Sequence, residues 1–151
     1  MSSTMHEPVS LEDALAFIAA HPHLYLLTRR GDGYPTGYAM MSRVTRGTVS
    51  FSTYRSSAKV RNLWREGVGG ILAVAKDPSD DRVLAAEGTV SVHDGSEWFE
   101  DQDPGSPVPP ADFEPSVPAE IVQKVSSRHE SGKRCVLRLT LTAARFSTRL
   151  R

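Results

Sequence analysis

The chain has 151 residues, 18 basic and 18 acidic side chains, and one cysteine, Cys135. That length suits one domain spanning residues 1 to 151 and can bury roughly 70% of the unfolded surface. A net charge of zero gives no bulk attraction to nucleic acid or membrane, and one cysteine excludes an intrachain disulfide, in keeping with a reducing cytoplasm.

No apolar run is long enough for a membrane span. The opening "MSSTMHEPVS" lacks a basic segment followed by an apolar core, so no secretory signal is expected. Ser10 opens "SLEDALAFIAA", where Ser10 and Asp13 resemble a capping box and Leu11, Ala14, Leu15 and Ile18 form an apolar stripe. The helix should stop before His21-Pro22. "HLYLLTRR" reads as a strand, "GDG" at 31 to 33 as a hairpin turn, and "YPTGYAMMSRV" as a second strand with Pro35 confined to its start. "TRG" at 45 to 47 is a turn and "TVSFST" a third strand. A helix from Ser57 follows, with Val60, Leu63 and Trp64 as its expected buried side and Gly67 as its stop.

"GGILAVAK" is nearly all apolar and reads as a fourth strand covered on both faces. "DPSDD" is a loop. "RVLAAEGTVSVH" is a fifth strand, whose internal Gly88 signals a bulge or bend. The stretch at about 94 to 118 is acidic and proline-rich. It reads as a loop with a short helix around Trp98; a lid and a dimer contact are the alternatives. "AEIVQKVSSR" reads as a helix with Ile121, Val122 and Val125 inward. "KRCVLRLTLTAARFSTRL" closes the chain as one strand or two, with Val136, Leu137, Leu139 and Leu141 as its apolar set. About six short strands joined by tight turns, with one helix between the third and fourth, predict a mainly β protein with helices (α+β). The architecture expected is a six-stranded antiparallel barrel, closed or nearly so.

Charge is unevenly spread. Residues 43 to 65 carry Arg43, Arg46, Arg55, Lys59, Arg61 and Arg65 without an acid, whereas 94 to 114 carry seven acids without a base. The second helix therefore begins with cations at its positive pole, where Asp or Glu normally stands. A bound anion resolves the mismatch. Free N–H groups at a helix start already attract one, Ser56 and Ser57 add hydroxyls, Lys59 adds charge, and Asn62 shares the face of Lys59. The alternative is that Lys59 and Arg61 point at water, where the dipole penalty is about a few tenths of a kcal/mol.

The run "LLTRRGDGYPTGYAMMSRVTRGTVSFSTYRSSAKVRNL", then an apolar strand, "DP" and "EGTVSV", resembles the flavin- and deazaflavin-binding split-barrel oxidoreductases. That superfamily includes the pyridoxamine 5'-phosphate oxidase-like proteins, and the resemblance covers roughly residues 10 to 93. It implies an FMN-binding type of split β-barrel. It also implies that the segment Ser57-Ala58-Lys59, with Asn62, binds a cofactor phosphate. Phe51, Ser52 and Thr53 would lie against the cofactor's chain and ring, with Tyr38 to Met41, Met40 included, as the floor. It implies a homodimer with the cofactor between subunits. The cofactor is FMN or the deazaflavin coenzyme F-420, whose longer anionic tail suits the many cations between Arg43 and Arg65.

The function expected is an oxidoreductase transferring hydride from that cofactor to a small organic acceptor. A cofactor-binding protein without turnover is one alternative. A small barrel binding nucleic acid through Phe51, Tyr54, Trp64 and the neighbouring cations is another, disfavoured by the neutral balance. No hydrolase or zinc motif is present. His21 and His23 read as loop or strand-end residues rather than metal ligands, and no catalytic residue stands out. His93, His129 and Tyr38 remain candidate proton donors. Cys135 reads as a buried apolar residue rather than a nucleophile.

Overall fold

A computed structural model describes residues 7–100 and 132–149. The elements run β1 (Glu7–Pro8), α1 (Leu11–Ala20), β2 (His23–Arg29), β3 (Pro35–Met41), β4 (Arg43–Thr45), β5 (Thr48–Tyr54), α2 (Ala58–Glu66), β6 (Val68–Val74), β7 (Arg82–Asp94), α3 (Glu97–Glu100) and β8 (Arg134–Thr148). The expected proline-rich stretch beyond residue 100 and the expected helix at 119–128 lie outside the described residues.

All strand pairs are antiparallel, in the order β3-β2-β6-β7-β8-β5-β4, with β1 joined to β8. β3 and β4 stand at the two ends of this path, yet only Ser42 separates them in the chain. The two ends must therefore meet, and the sheet is rolled into a split barrel. Seven strands form the path rather than six. The segment read as one strand over 34 to 44 breaks at Ser42, whose amide (2.8 Å) and hydroxyl (3.0 Å) both donate to the carbonyl of its in-register neighbour Pro22, which has no N–H to return the bond, so the β2–β3 ladder ends there. The closing segment is one strand of 15 residues.

Alternation places the core. Leu24, Leu26 and Thr28 of β2 point inward, as do Val49, Phe51 and Thr53 of β5 and Cys135, Leu137 and Leu139 of β8. α1 covers the end of the barrel near the C-terminus of β8. Ser10 caps it through the Asp13 amide (3.1 Å), and Phe17 packs edge-on against Phe146, with ring centroids 5.1 Å apart. Its buried residues are Ala14, Phe17 and Ile18, so Leu11 of the expected stripe is largely exposed and Phe17 takes its place. α2 packs on β2, β6 and β7.

β7 and β8 are bent where Gly88 was expected to mark an irregularity. Glu87 faces Ala143 while Gly88 faces Leu141, so Thr142 is an extra residue on β8. Its hydroxyl donates to the Glu87 carbonyl at 3.3 Å. Before this bulge the second edge of β8 pairs with β5; after it, with β1.

The turn between β6 and β7 is held by Asp80, which accepts from the Arg82 guanidinium (2.7 Å) and amide (3.0 Å). These bonds, the side-chain ones foremost, lower the Asp80 pKa from 3.8 to about 2. A lowered carboxylate pKa contributes stability above its unfolded value and loses it as the folded group protonates. We therefore expect Asp80→Asn to be slightly less stable than wild type near neutrality. The difference should vanish as pH falls from about 4 towards about 2, read by urea unfolding at a series of pH values.

Candidate cofactor site

The start of α2 has no acid in its first turn. Ser57 is its N-cap, with extended backbone (φ −70°, ψ 153°), but its side chain makes no capping bond. The hydroxyl is buried and has no hydrogen-bond partner among the described residues. The Ser57 carbonyl accepts from the Arg61 amide (3.3 Å), leaving the amides of Ala58, Lys59 and Val60 without an intrahelical acceptor. A buried hydroxyl without a bond costs about 1–3 kcal/mol, and donors at a helix start favour an anion.

The face of α2 turned to the barrel carries Val60 and Leu63, as expected, but takes Asn62 in place of Trp64. Leu63 is wholly buried, and a Cβ on Gly69 would stand 2.7 Å from its Cδ2, so that glycine makes the room Leu63 occupies. With Leu63 fixed there, Lys59, Asn62 and Glu66 share its stripe, at i, i+3, i+4 and i+7 from Lys59. Asn62 is buried and Lys59 and Glu66 half-buried. Trp64, expected inside, is 70% exposed. Truncating it should be nearly silent: we expect Trp64→Ala to change unfolding free energy by no more than about 0.5 kcal/mol, as at ordinary surface positions, checked by denaturant titration.

Three elements meet at the α2 start. The Lys59 ammonium lies 5.2 Å from the centre of the Tyr38 ring on β3. Arg134, the first residue of β8, donates to the Ser52 hydroxyl (3.1 Å) and carbonyl (3.0 Å) and lies over the Tyr54 ring at 4.7 Å. The Lys59 pKa is lowered, first by burial and then by the charge of Arg134. The like charge of Arg134 thus reaches Lys59, whose helix start carries amides without an intrahelical acceptor. Among the described residues, no carboxylate forms an ion pair with Lys59.

The other expected site residues are placed as follows. Ser52 faces outward on β5 and holds Arg134. Phe51 and Thr53 point into the core, Phe51 with no exposure at all; it cannot stack on a base either, which removes one aromatic from the nucleic-acid reading. Met40 is packed against the core. Ala58 is exposed at the helix start. Asn62 is committed inside the protein: its amide nitrogen donates to the Thr28 hydroxyl (3.4 Å), and its oxygen accepts from Arg65 (3.3 Å). Cys135 is buried, and burial raises its thiol pKa.

Most of the expected cations have internal partners. Arg43 lies over the Trp98 ring at 3.7 Å and donates to the Trp98 carbonyl. Arg55 faces Asp94 (3.6 Å), Arg61 donates to the Ser56 carbonyl (2.8 Å), and Arg65 donates to the Arg29 carbonyl (2.6 Å). Arg134 was not foreseen. Its one sequence signal was the basic character of the chain's C-terminal part; its position depends on the pairing of β5 with β8. Among the described residues no group of three or more His, Cys, Asp or Glu could hold a metal, and no helix is long and apolar enough to cross a membrane.

No protein-family model matches the sequence, and no curated protein does. Solved structures do match. A conserved hypothetical protein from Mycobacterium tuberculosis is similar at 23% identity and TM-score 0.67, over 93% of this chain and 85% of that one. An F-420 reductase is 18% identical with TM-score 0.56, over 84% of this chain and 92% of that one. A pyridoxamine 5'-phosphate oxidase-related, FMN-binding protein from Nostoc punctiforme is 18% identical with TM-score 0.59, over 90% of this chain and 82% of that one. Each likeness covers more than four fifths of both chains, and so the chain shares the split β-barrel fold of these structures.

Proposed function

We propose that this chain binds a flavin-type cofactor, FMN or the deazaflavin coenzyme F-420, and acts with it as an oxidoreductase on a small organic acceptor. The observation that carries the reading is the buried Ser57 hydroxyl, without a hydrogen-bond partner among the described residues, at a helix start that carries half-buried Lys59 and no acid. These donors fit an anionic oxygen cluster such as a phosphate. Ser57 and the first amides of α2 would hold it by hydrogen bonds, Lys59 would neutralise it, and Arg134, steadied by Ser52, would add the second charge. The Tyr38 ring flanks the same place. A flavin or deazaflavin, when bound, supplies the hydride chemistry; the protein supplies position and electrostatics.

The names of two similar structures, an F-420 reductase and an FMN-binding protein, support the cofactor class. Because four of the expected cations have internal partners, charge alone no longer favours the longer deazaflavin tail. A homodimer fits the exposed apolar face formed by Tyr25 and Leu27 of β2 next to Met41 of β3, which a second copy would cover.

The test is titration of the purified chain with FMN and with coenzyme F-420, followed by fluorescence, and then an assay of the reduced cofactor against a panel of acceptors. Saturable binding of one cofactor together with acceptor-dependent oxidation supports the reading. Binding without turnover would assign a carrier, and binding of neither would end it.

A further inference from the structure

A second polar constellation lies on the outer face of the sheet. Ser91 and His93 are two residues apart on β7 and so share one face. His93 Nε2 is 2.7 Å from the Ser91 hydroxyl, and His93 Nδ1 is 3.2 Å from a carboxylate oxygen of Glu97. Hydroxyl, imidazole and carboxylate are thus linked in the order of nucleophile, base and orienting acid. In the tautomer with its hydrogen on Nδ1, the ring donates to the carboxylate and Nε2 accepts from Ser91.

Several contacts fix this order. Asp94 accepts from the Ser96 amide (3.0 Å) and hydroxyl (2.9 Å), shaping the turn into α3. Arg43 then clamps α3 by stacking on Trp98. Glu97 is therefore held opposite His93. Ser91 is exposed. In register beside it across the sheet run Arg138, Ser50 and Arg43, which place two guanidinium-bearing residues on the same face.

We propose that Ser91, His93 and Glu97 form an acyl-transfer site for small activated esters, independent of the cofactor site. His93 Nε2 takes the Ser91 proton as the hydroxyl oxygen bonds to the ester carbonyl carbon. The carbon–oxygen bond to the leaving alcohol breaks, and His93 returns the proton to that alcohol. Water then attacks the acyl carbon and gives its proton to His93; the bond to the Ser91 oxygen breaks, His93 returns the proton to that oxygen, and a carboxylic acid leaves. The sum is ester plus water giving acid plus alcohol, with no other reactant. Arg138, the in-register neighbour of Ser91 on β8, is the residue placed to favour the oxyanion formed at each attack.

The test uses the full chain, a fluorophosphonate probe and para-nitrophenyl acetate. We expect the probe to modify Ser91, as located by peptide mass mapping, and Ser91→Ala to remain unlabelled. His93→Gln should slow ester hydrolysis by about a hundredfold, the low end of general-base effects, and Glu97→Gln should slow it to a smaller degree. All three variants should keep the wild-type circular dichroism spectrum and cofactor affinity. An adduct elsewhere, no adduct, or wild-type hydrolysis by Ser91→Ala would overturn the proposal and leave the trio as a contact that only closes the β7–α3 turn.

Discussion

Lys59→Ala is expected to weaken binding of the cofactor by about 1.5–3 kcal/mol, the range for hydrogen bonds to charged groups. That is roughly a ten- to hundredfold rise in Kd. The apoprotein should respond in the opposite sense. Burial and the Arg134 charge lower the Lys59 pKa, so the charged ammonium is less favourable in the fold than in the unfolded chain. By linkage, a lysine with lowered folded pKa subtracts stability at neutral pH and subtracts less as pH rises through that value. Removing it should therefore leave the apoprotein at least as stable as wild type while affinity falls. Arg134→Ala should weaken binding too, but it also frees Ser52 from two hydrogen bonds, so its apoprotein should lose stability. Thermal melts with and without cofactor separate these effects. A Lys59→Ala protein that binds as wild type would place the anion elsewhere.

Much of this arrangement was legible in the sequence where local rules decide. Ser10 and Asp13 announced the first cap, the glycine at 88 announced a bulge, and the acid-free start of α2 announced an electrostatic oddity. Each signal is complete within a few residues. The misreadings share a different cause. Trp64 belongs to the apolar set by composition, but the rotation of α2 is set by Leu63 seated over Gly69, a contact between elements. The strand break at Ser42 is invisible because serine is unremarkable in a strand; the ladder ends there because its partner, 20 residues earlier, is Pro22, which has no N–H to donate. Arg134 looks like any strand arginine until the pairing of β5 with β8 brings it to Ser52, 82 residues away. Asn62 was read as a ligand donor because it shares a face with Lys59. That face does turn to the barrel, but deeper in, where Thr28 and Arg65 take the amide.

Gly88→Ala is expected to destabilise the fold more than any other glycine-to-alanine change in β3, β6 or β7. A Cβ there would stand 2.5 Å from the Thr140 carbonyl oxygen and 2.9 Å from its carbon. Both are backbone atoms, so no side chain can rotate aside. Relief requires β7 and β8 to separate at the bulge, where β8 changes its second partner from β5 to β1. We expect a loss of about 3 kcal/mol, the upper part of the usual overpacking range. For a chain of this size that is roughly 6–12 °C in Tm. Gly37→Ala is the control. Its nearest contact would be a Leu27 methyl at 3.4 Å, which can move. That change should be neutral or stabilising by up to about 1 kcal/mol, because alanine restricts the unfolded chain. If Gly88→Ala melts with the control, the close approach of β7 to β8 does not pin the bulge. The bend that lets one long strand serve both ends of the barrel must then be set elsewhere.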